Sequence, residues 1–311
     1  MKHLEDTPLK IAKPEWDNFC IYIDTDSNYF GVEKILRHLV PNFDDLTDKE
    51  KDIKTEKLAI ATQNKINKDL NTYMGIEAFK SNNKGSKFDI KTECVIRAAY
   101  YRATRRYAQW ITKEEGIDKE SLNIKGLEFM KSNFPPIMGK FFKNMVSKAL
   151  KNATQKEILD DVKNFKDDII NGKIPIYDLG NPTSVKKIRN YIGVSPRAGE
   201  MFTIIKKGAP APVKAAIKYN DLLKFWGLDK HHKQITMADK IKWFYLKDNP
   251  YKIDSLAFIE GDTPNKIQEF LNTYVDRRKV FDNVLLNKLE GFFSDFEWRL
   301  DLNPYATLLD Y

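Results

Sequence analysis

The order of apolar and polar residues predicts a β-hairpin near the start of the chain. An apolar run of β-prone residues extends from Phe19 to Ile23, breaks at a short polar stretch, and resumes with Tyr29 and Phe30. A polar break between two β-prone runs is a turn signal. We therefore expect a hairpin over residues 17–31.

Helical periodicity follows the hairpin. Ile66, Leu70 and Tyr73 recur at helical spacing, which predicts a helix over residues 55–74 with Thr55 as its N-cap.

Residues 87–111 have the pattern of two strands. The first strand is expected to carry Phe88 and Ile90 in alternation, and the second contains a basic and aromatic run from Arg97 to Trp110.

From about residue 132 the pattern becomes helical. Thr154 and Glu157 have capping-box spacing at the start of one helix, and Gly172 suits its C-terminal cap. The apolar residues of this helix share one face: Ile158, Val162, Phe165 and Ile169.

Two more helices are expected near the end of the chain. Thr263 and Pro264 have the N-cap and first-turn pattern of one helix, and the other covers residues 277–293. Before them, residues 198–262 mix Gly, Pro and short apolar runs, which predicts a small β-rich insert.

Composition limits the class of protein. Of the 311 residues 42% are hydrophobic, which suffices for a buried core in two domains, and the net charge of +8 favours polyanionic partners such as nucleic acid. Cys20 and Cys94 are too few for a disulfide framework or a zinc-finger set. No apolar stretch approaches the ~20 residues that span a bilayer, and no secretory signal is visible, so we expect a cytoplasmic protein without a membrane partner.

Two carboxylates, Asp24 and Asp26, lie one residue apart at the expected turn. Side chains near a tight turn can converge, and a divalent cation relieves the repulsion between their charges. Mg²⁺ favours carboxylate oxygens, and two such ions ~3.5–4 Å apart can activate a 3′-hydroxyl and stabilise a leaving pyrophosphate. The alternative is an ordinary turn with Asx-type hydrogen bonds from both residues.

The full string is more specific than the two carboxylates alone. It resembles motif C of the family B DNA polymerases, Tyr-x-Asp-Thr-Asp-Ser on a palm hairpin, and reads Tyr22-Ile23-Asp24-Thr25-Asp26-Ser27. The resemblance implies an α+β fold in which residues 1–131 form the C-terminal half of a palm domain, an antiparallel sheet with helices. Residues 132–311 would then form a mostly helical thumb with a small β-rich insert. Asp24 and Asp26 would be catalytic and would bind two Mg²⁺ ions together with an Asp of a partner chain.

Further matches follow in the order of that family. Residues 104–107 resemble its Lys-x-Tyr element, with Arg105 in the place of the usual Lys, which implies primer–template contacts by Arg105, Arg106 and Tyr107. The alternative for this segment is a solvated basic strand face.

Residues 124–132 resemble the segment of that family which ends the palm and enters the thumb. This resemblance implies that Lys125, Gly126 and Lys131 contact the DNA backbone. The alternative is an ordinary strand and loop. The later segment that contains Lys207 and Tyr219 resembles a thumb stretch of tailed-phage polymerases. This resemblance implies DNA contacts by four residues of the segment: Lys207, Gly208, Lys214 and Tyr219. Surface charge is the alternative for Lys206 and Lys207.

The last residues, 303–311, resemble the sliding-clamp-binding tail of T-even-like phage polymerases. The resemblance implies a clamp-binding role for Tyr305, Leu308, Leu309 and Tyr311. The equal alternative is that Leu308 and Tyr311 fold back onto the thumb, since exposed apolar tails are costly.

The resemblance covers only the C-terminal part of a family B enzyme. Asp24 is preceded by 23 residues, which contain neither the upstream palm motif with the other metal-binding Asp nor the fingers motif. We therefore expect a subunit or fragment of a DNA-directed DNA polymerase that uses primer–template DNA and dNTPs. It would need an N-terminal polymerase chain, whether as half of a split phage polymerase in the host cytoplasm or as a truncation. The rival expectation is a non-catalytic DNA-binding or clamp-tethering subunit of a phage replisome.

Overall fold

A computed structural model describes residues 19–24, 27–81, 85, 87–194 and 200–302. The chain divides into two compact units, Met1–Lys125 and Gly126–Tyr311. Both combine helices with small antiparallel sheets, so the expected α+β class is confirmed. In the described ranges, no helix is long and apolar enough to cross a membrane.

The first unit begins with the predicted hairpin. Strand β1 (Cys20–Asp24) pairs antiparallel with β2 (Ser27–Phe30), and Asp24 lies opposite Ser27 at the turn. The hairpin prediction is therefore confirmed.

A three-stranded antiparallel sheet follows, with β4 in the middle. Its strands are β3 (Cys94–Ala103), β4 (Arg106–Glu114) and β5 (Ile117–Lys125). The turn between β3 and β4 contains Arg105, which has a positive φ of 60°. This turn divides the basic and aromatic run between two strands, so its assignment to a single strand was wrong.

The predicted strand at Phe88 and Ile90 was also wrong, because both residues lie outside any strand. The backbone here bonds to a helix side chain instead of to a neighbouring strand. Asn67 Nδ2 donates to Ile90 O at 2.8 Å, and Asn67 Oδ1 accepts the Ile90 N–H at 2.8 Å. Alternation alone did not distinguish this extended segment from a paired strand.

Helices α1 (Glu33–Leu39) and α2 (Asp48–Lys80) lie between the hairpin and the sheet in the chain. A capping box of Thr47 and Glu50 begins α2, so the predicted start at Thr55 was wrong. Thr55 lies within the helix and donates its hydroxyl to Lys51 O at 2.9 Å. The Thr-x-x-Glu spacing at 47–50 was the sequence signal for the true start.

Charge, more than apolar burial, ties α2 to the sheet. Asp52 is the buried residue of α2, and Arg97 of β3 pairs with it and with Asp48. The Arg97 guanidinium also lies 4.7 Å from the centre of the Trp110 ring. Breaking a buried ion pair is costly because one charge remains without its partner.

The second unit is mainly helical. After a 3₁₀ turn (Glu128–Met130), its helices of nine or more residues are α3 (Pro136–Leu150), α4 (Gln155–Ile170), α7 (Ala211–Phe225), α8 (Asn265–Tyr274) and α10 (Asn287–Asp295). Its short helices are α5 (Ile176–Leu179), α6 (Ile188–Tyr191) and α9 (Arg277–Val280). A π-helical segment, Phe281–Leu286, joins α9 to α10.

Two small sheets complete this unit. Strand β9 (Lys240–Tyr245) lies between β6 (Asn181–Ser184) and β10 (Ser255–Phe258), and β7 (Ile192–Val194) pairs with β8 (Ile204–Ile205). Helix α7 packs on β10.

Several expectations for this unit are confirmed. The capping box of Thr154 and Glu157 begins α4, which buries Ile158, Val162 and Ile169. The helix expected over 277–293 is present as α9, the π segment and α10 in succession.

Two expectations were wrong. The insert over 198–262 contains the 15-residue helix α7, so it is not mainly β. Pro264, not Thr263, is the N-cap of α8, because the Thr263 hydroxyl bonds back to the backbone of Ile259.

Candidate metal and nucleic-acid site

A cluster of tyrosines seats the hairpin on one face of the β3–β4–β5 sheet. Tyr101 and Tyr107 lie opposite each other on β3 and β4, and Tyr22 and Tyr29 do so in the hairpin. The Tyr22 ring stacks on Tyr101 with centroids 5.2 Å apart and meets the edge of Tyr107 at 5.6 Å. This aromatic contact fixes the face of the hairpin that carries Asp24, because Tyr22 and Asp24 are two residues apart on one strand.

Asp24 ends β1, and its backbone carbonyl accepts a hydrogen bond from the Ser27 hydroxyl at 3.2 Å. The other predicted metal ligand, Asp26, lies outside the described residues. The described part of the chain contains no group of three or more His, Cys, Asp or Glu side chains that could hold a metal ion. The Asp24 carboxylate is a hard oxygen donor of the kind Mg²⁺ accepts, so its chemistry fits the expected ion.

Arg105 lies beside this carboxylate. Its backbone N–H donates to the Tyr22 hydroxyl at 2.9 Å, and its Nε lies 3.4 Å from Asp24 Oδ1. Its side chain is 72% exposed. The sequence pointed only to a DNA contact for Arg105, and the structure adds this ion pair.

Lys125 provides a second cation on the same face of the sheet. It lies opposite Tyr107 in the register of β4 and β5, with its Nζ 5.9 Å from the centre of the Tyr107 ring. Hydrogen bonding with Tyr107 is the main cause that raises the pKa of Lys125. Burial is the main cause that raises the pKa of Tyr107. Lys125 therefore stays charged and Tyr107 neutral near pH 7.

The residues of the first unit that are predicted to contact DNA differ in the sheet face on which they lie and in how far they are buried. Arg105 and Lys125 lie near Asp24 and can meet phosphate oxygens, whereas Arg106 is exposed on the opposite face by strand alternation. Tyr107 is buried beneath the hairpin, and its contact with DNA stays a prediction. Its role is to support Tyr22 and Lys125.

The contacts predicted in the second unit are distributed over several positions. Gly126, with a φ of 65°, opens this unit, and exposed Lys131 follows the 3₁₀ turn. Exposed Lys207 and Gly208 precede α7, which carries half-buried Lys214. Tyr219 is fully buried, with its ring in the core under α7, and its contact with DNA stays a prediction.

Sequence reasoning found only part of a basic cluster in this unit, because it named Lys207 but not the exposed cations of residues 186–189. The Tyr191 carbonyl accepts the Lys206 N–H at 2.9 Å, which joins two basic segments of the chain. Five exposed cations lie in these segments, and among the described residues none of them has an ion-pair partner: Lys186, Lys187, Arg189, Lys206 and Lys207. The Lys-Lys-x-Arg spacing at 186–189 was an available signal.

The tail residues with an expected clamp-binding role, Tyr305, Leu308, Leu309 and Tyr311, lie outside the described residues.

No model of a known protein family matches this chain, and a search of curated proteins finds no match. A functional assignment therefore depends on the motif and on the geometry around Asp24.

Proposed function

We propose that this chain is the C-terminal subunit or fragment of a DNA-directed DNA polymerase resembling family B. Residues 1–131 would be the second half of its palm, and residues 132–311 its thumb. The observation that carries the proposal is the placement of Asp24 at the end of β1, beside Arg105 and within the polymerase-like string of residues 22–27.

The carboxylates are the proposed reaction centre. Asp24 and Asp26 would hold Mg²⁺ together with an Asp of a partner chain, with Asp26 as the more direct ligand. Bound Mg²⁺ supplies charge neutralisation for an in-line nucleotidyl transfer. Arg105 and Lys125 would orient phosphate groups next to that centre, because guanidinium and ammonium groups bind phosphate oxygens.

The exposed cations support binding of primer–template DNA. The basic cluster around Lys206 in the second unit is exposed and has no acidic partner among the described residues. Cations of this kind can neutralise phosphates without reading sequence, which suits an enzyme that must accept any template.

The exposed apolar face of the hairpin supports the proposal of a partner chain. Among the residues that the structure describes its sheet has two strands, and the face turned away from the tyrosines exposes Ile21 (52%), Ile23 (64%) and Phe30 (39%). Two-stranded hairpins are marginally stable alone, and exposed apolar faces favour docking. An N-terminal polymerase chain that supplies the other palm Asp, the fingers and the exonuclease would cover this face.

A non-catalytic DNA-binding or clamp-tethering subunit is the second candidate. The basic cluster favours it, because that cluster can bind DNA without any carboxylate. The two functions differ in whether Asp24 and Asp26 matter to the activity of the assembled complex.

Primer extension tests the proposal. The chain is assayed with Mg²⁺ and dNTPs, alone and mixed with a polypeptide that carries the upstream palm Asp and the fingers. We expect little or no extension by the lone chain and clear extension by the mixture. Robust extension by the lone chain would refute the dependence on a partner, and none by the mixture would favour the binding subunit.

A further inference from the structure

A line of side-chain contacts crosses the sheet beneath the hairpin, with Gln109 of β4 at its centre. Gln109 is 1% exposed. Its Nε2 donates to the Tyr101 hydroxyl at 2.8 Å, and its Oε1 accepts from Asn123 Nδ2 at 3.0 Å. Both ends of the buried amide are therefore bonded, one toward β3 and the other toward β5.

The line continues from the sheet into the hairpin. Tyr101 presents its ring to Tyr22 with an interplanar angle of 28°. The Tyr22 hydroxyl accepts the Arg105 N–H at 2.9 Å, and the Arg105 guanidinium faces Asp24. The contacts run from the Asn123 side chain to the Asp24 carboxylate, and one of them is made by the backbone N–H of Arg105.

The hydrogen bond to the Tyr101 hydroxyl fixes the position of this ring more closely than ring packing alone. Stacked rings can slide over one another at small cost, whereas a hydrogen bond has a preferred distance and direction. The bond from Gln109 thus fixes the end of the Tyr101 ring, and the bond from Asn123 fixes which way the Gln109 amide points. An apolar residue of similar size at 109 would fill the space without this direction.

We propose that Gln109 and Asn123 are positioning residues for the Asp24 carboxylate. They hold Tyr101, Tyr101 seats Tyr22, and Tyr22 sets where β1 ends and where Arg105 lies. The catalytic meaning of this role rests on the proposed polymerase function, whereas the contacts themselves do not.

Three substitutions separate this role from general stability. Gln109→Met removes both hydrogen bonds at similar volume. Tyr101→Phe removes the hydroxyl that accepts from Gln109 and keeps the ring that stacks on Tyr22. Thr112→Val is the matched control, because Thr112 is a buried residue of the same strand whose hydroxyl has no hydrogen-bond partner.

The rate of hydrogen exchange at the Arg105 backbone amide, measured by NMR in the isolated chain, depends directly on the position of Tyr22, because this amide donates to the Tyr22 hydroxyl. We expect this amide to exchange about fivefold faster in Gln109→Met, because that ratio of rates corresponds to the net free energy of one ordinary hydrogen bond. In Thr112→Val we expect the exchange rate to be unchanged. Tyr101→Phe should accelerate exchange similarly, and the Gln109→Met/Tyr101→Phe double variant should add nothing further. Equal exchange in Gln109→Met and Thr112→Val, or additive effects in the double variant, would overturn the proposal.

If Gln109→Met does not fold, Tyr101→Phe gives the test, because it removes the same hydrogen bond and should accelerate exchange equally. In the complex with a partner chain, Gln109→Met should raise the Mg²⁺ concentration for half-maximal extension several-fold without weakening duplex binding. If the unaltered chain extends no primer with any partner, the polymerase function fails. The amide exchange then still decides whether Gln109 positions the hairpin.

Discussion

Arg105, in the turn between β3 and β4, forms an ion pair with Asp24, the last residue of β1: Arg105 Nε lies 3.4 Å from Asp24 Oδ1. The guanidinium lies against the carboxylate that would bind a divalent cation in the proposed site. The two cations therefore compete for Asp24, although each suits the proposed site: one binds phosphate, and the other supports nucleotidyl transfer.

Arg105→Ala should strengthen binding of a divalent cation by the isolated chain. We expect Mn²⁺, followed by electron paramagnetic resonance, to bind about threefold more tightly, a modest gain because the ion pair is exposed. Arg106→Ala removes an adjacent exposed arginine that is not paired with Asp24, so Mn²⁺ binding should be unchanged. Weaker Mn²⁺ binding by Arg105→Ala would show that the guanidinium assists the metal instead of competing with it.

The basic cluster should dominate the salt dependence of duplex binding. The Lys206→Ala/Lys207→Ala double variant removes two exposed cations, and the slope of log Kd against log salt should fall by about 2. Lys173→Ala is the control, since Lys173 already pairs with Asp168 at 2.7 Å. An equal loss of slope in both variants would mean that the cluster has no special part in binding.

The ion pair beneath α2 should dominate the stability of that helix. Asp52→Ala leaves Arg97 without its buried partner, and the free energy of unfolding should fall by about 3 kcal/mol in urea denaturation. Asp48→Ala removes the exposed partner of the same arginine and should cost no more than about 1 kcal/mol. Equal losses would assign the stability of α2 to other contacts.

The capping box of α4 should make stability depend on pH. Hydrogen bonds from Thr154 lower the pKa of Glu157 below its ordinary value of 4.5. The contribution is thus complete above about pH 4.5 and is lost as the pH falls through the lower folded-state pKa. Glu157→Gln should lower the urea midpoint at pH 7 more than at pH 3, whereas an equal effect at both would exclude this linkage.

Local patterns predicted some elements because the deciding interactions were local. The hairpin at Asp24 and the start of α4 at Thr154 depend on residues a few positions apart, and both are confirmed. The helix over residues 211–225 was missed because the Gly and Pro residues around it suggested an irregular insert.

The surroundings of Asp24 could not be predicted, because they depend on long-range contacts. Arg105 lies 81 positions from Asp24 in the chain, and Gln109 is 14 positions from Asn123. Alternation along each strand gives the face of a residue but not which strand lies opposite. Burial of Tyr107 and Tyr219 follows from the same tertiary packing, which the local pattern around each residue does not reveal.

The central claim is that the hairpin carboxylates serve nucleotidyl transfer, and its most direct test is Asp26→Ala in the chain assembled with its partner. Primer extension and duplex binding are measured together, with Asp45→Ala as a control at an exposed carboxylate of the same unit. We expect Asp26→Ala to abolish extension with an unchanged duplex Kd, and Asp45→Ala to behave as the unaltered chain. Near-normal extension by Asp26→Ala would contradict the proposed function.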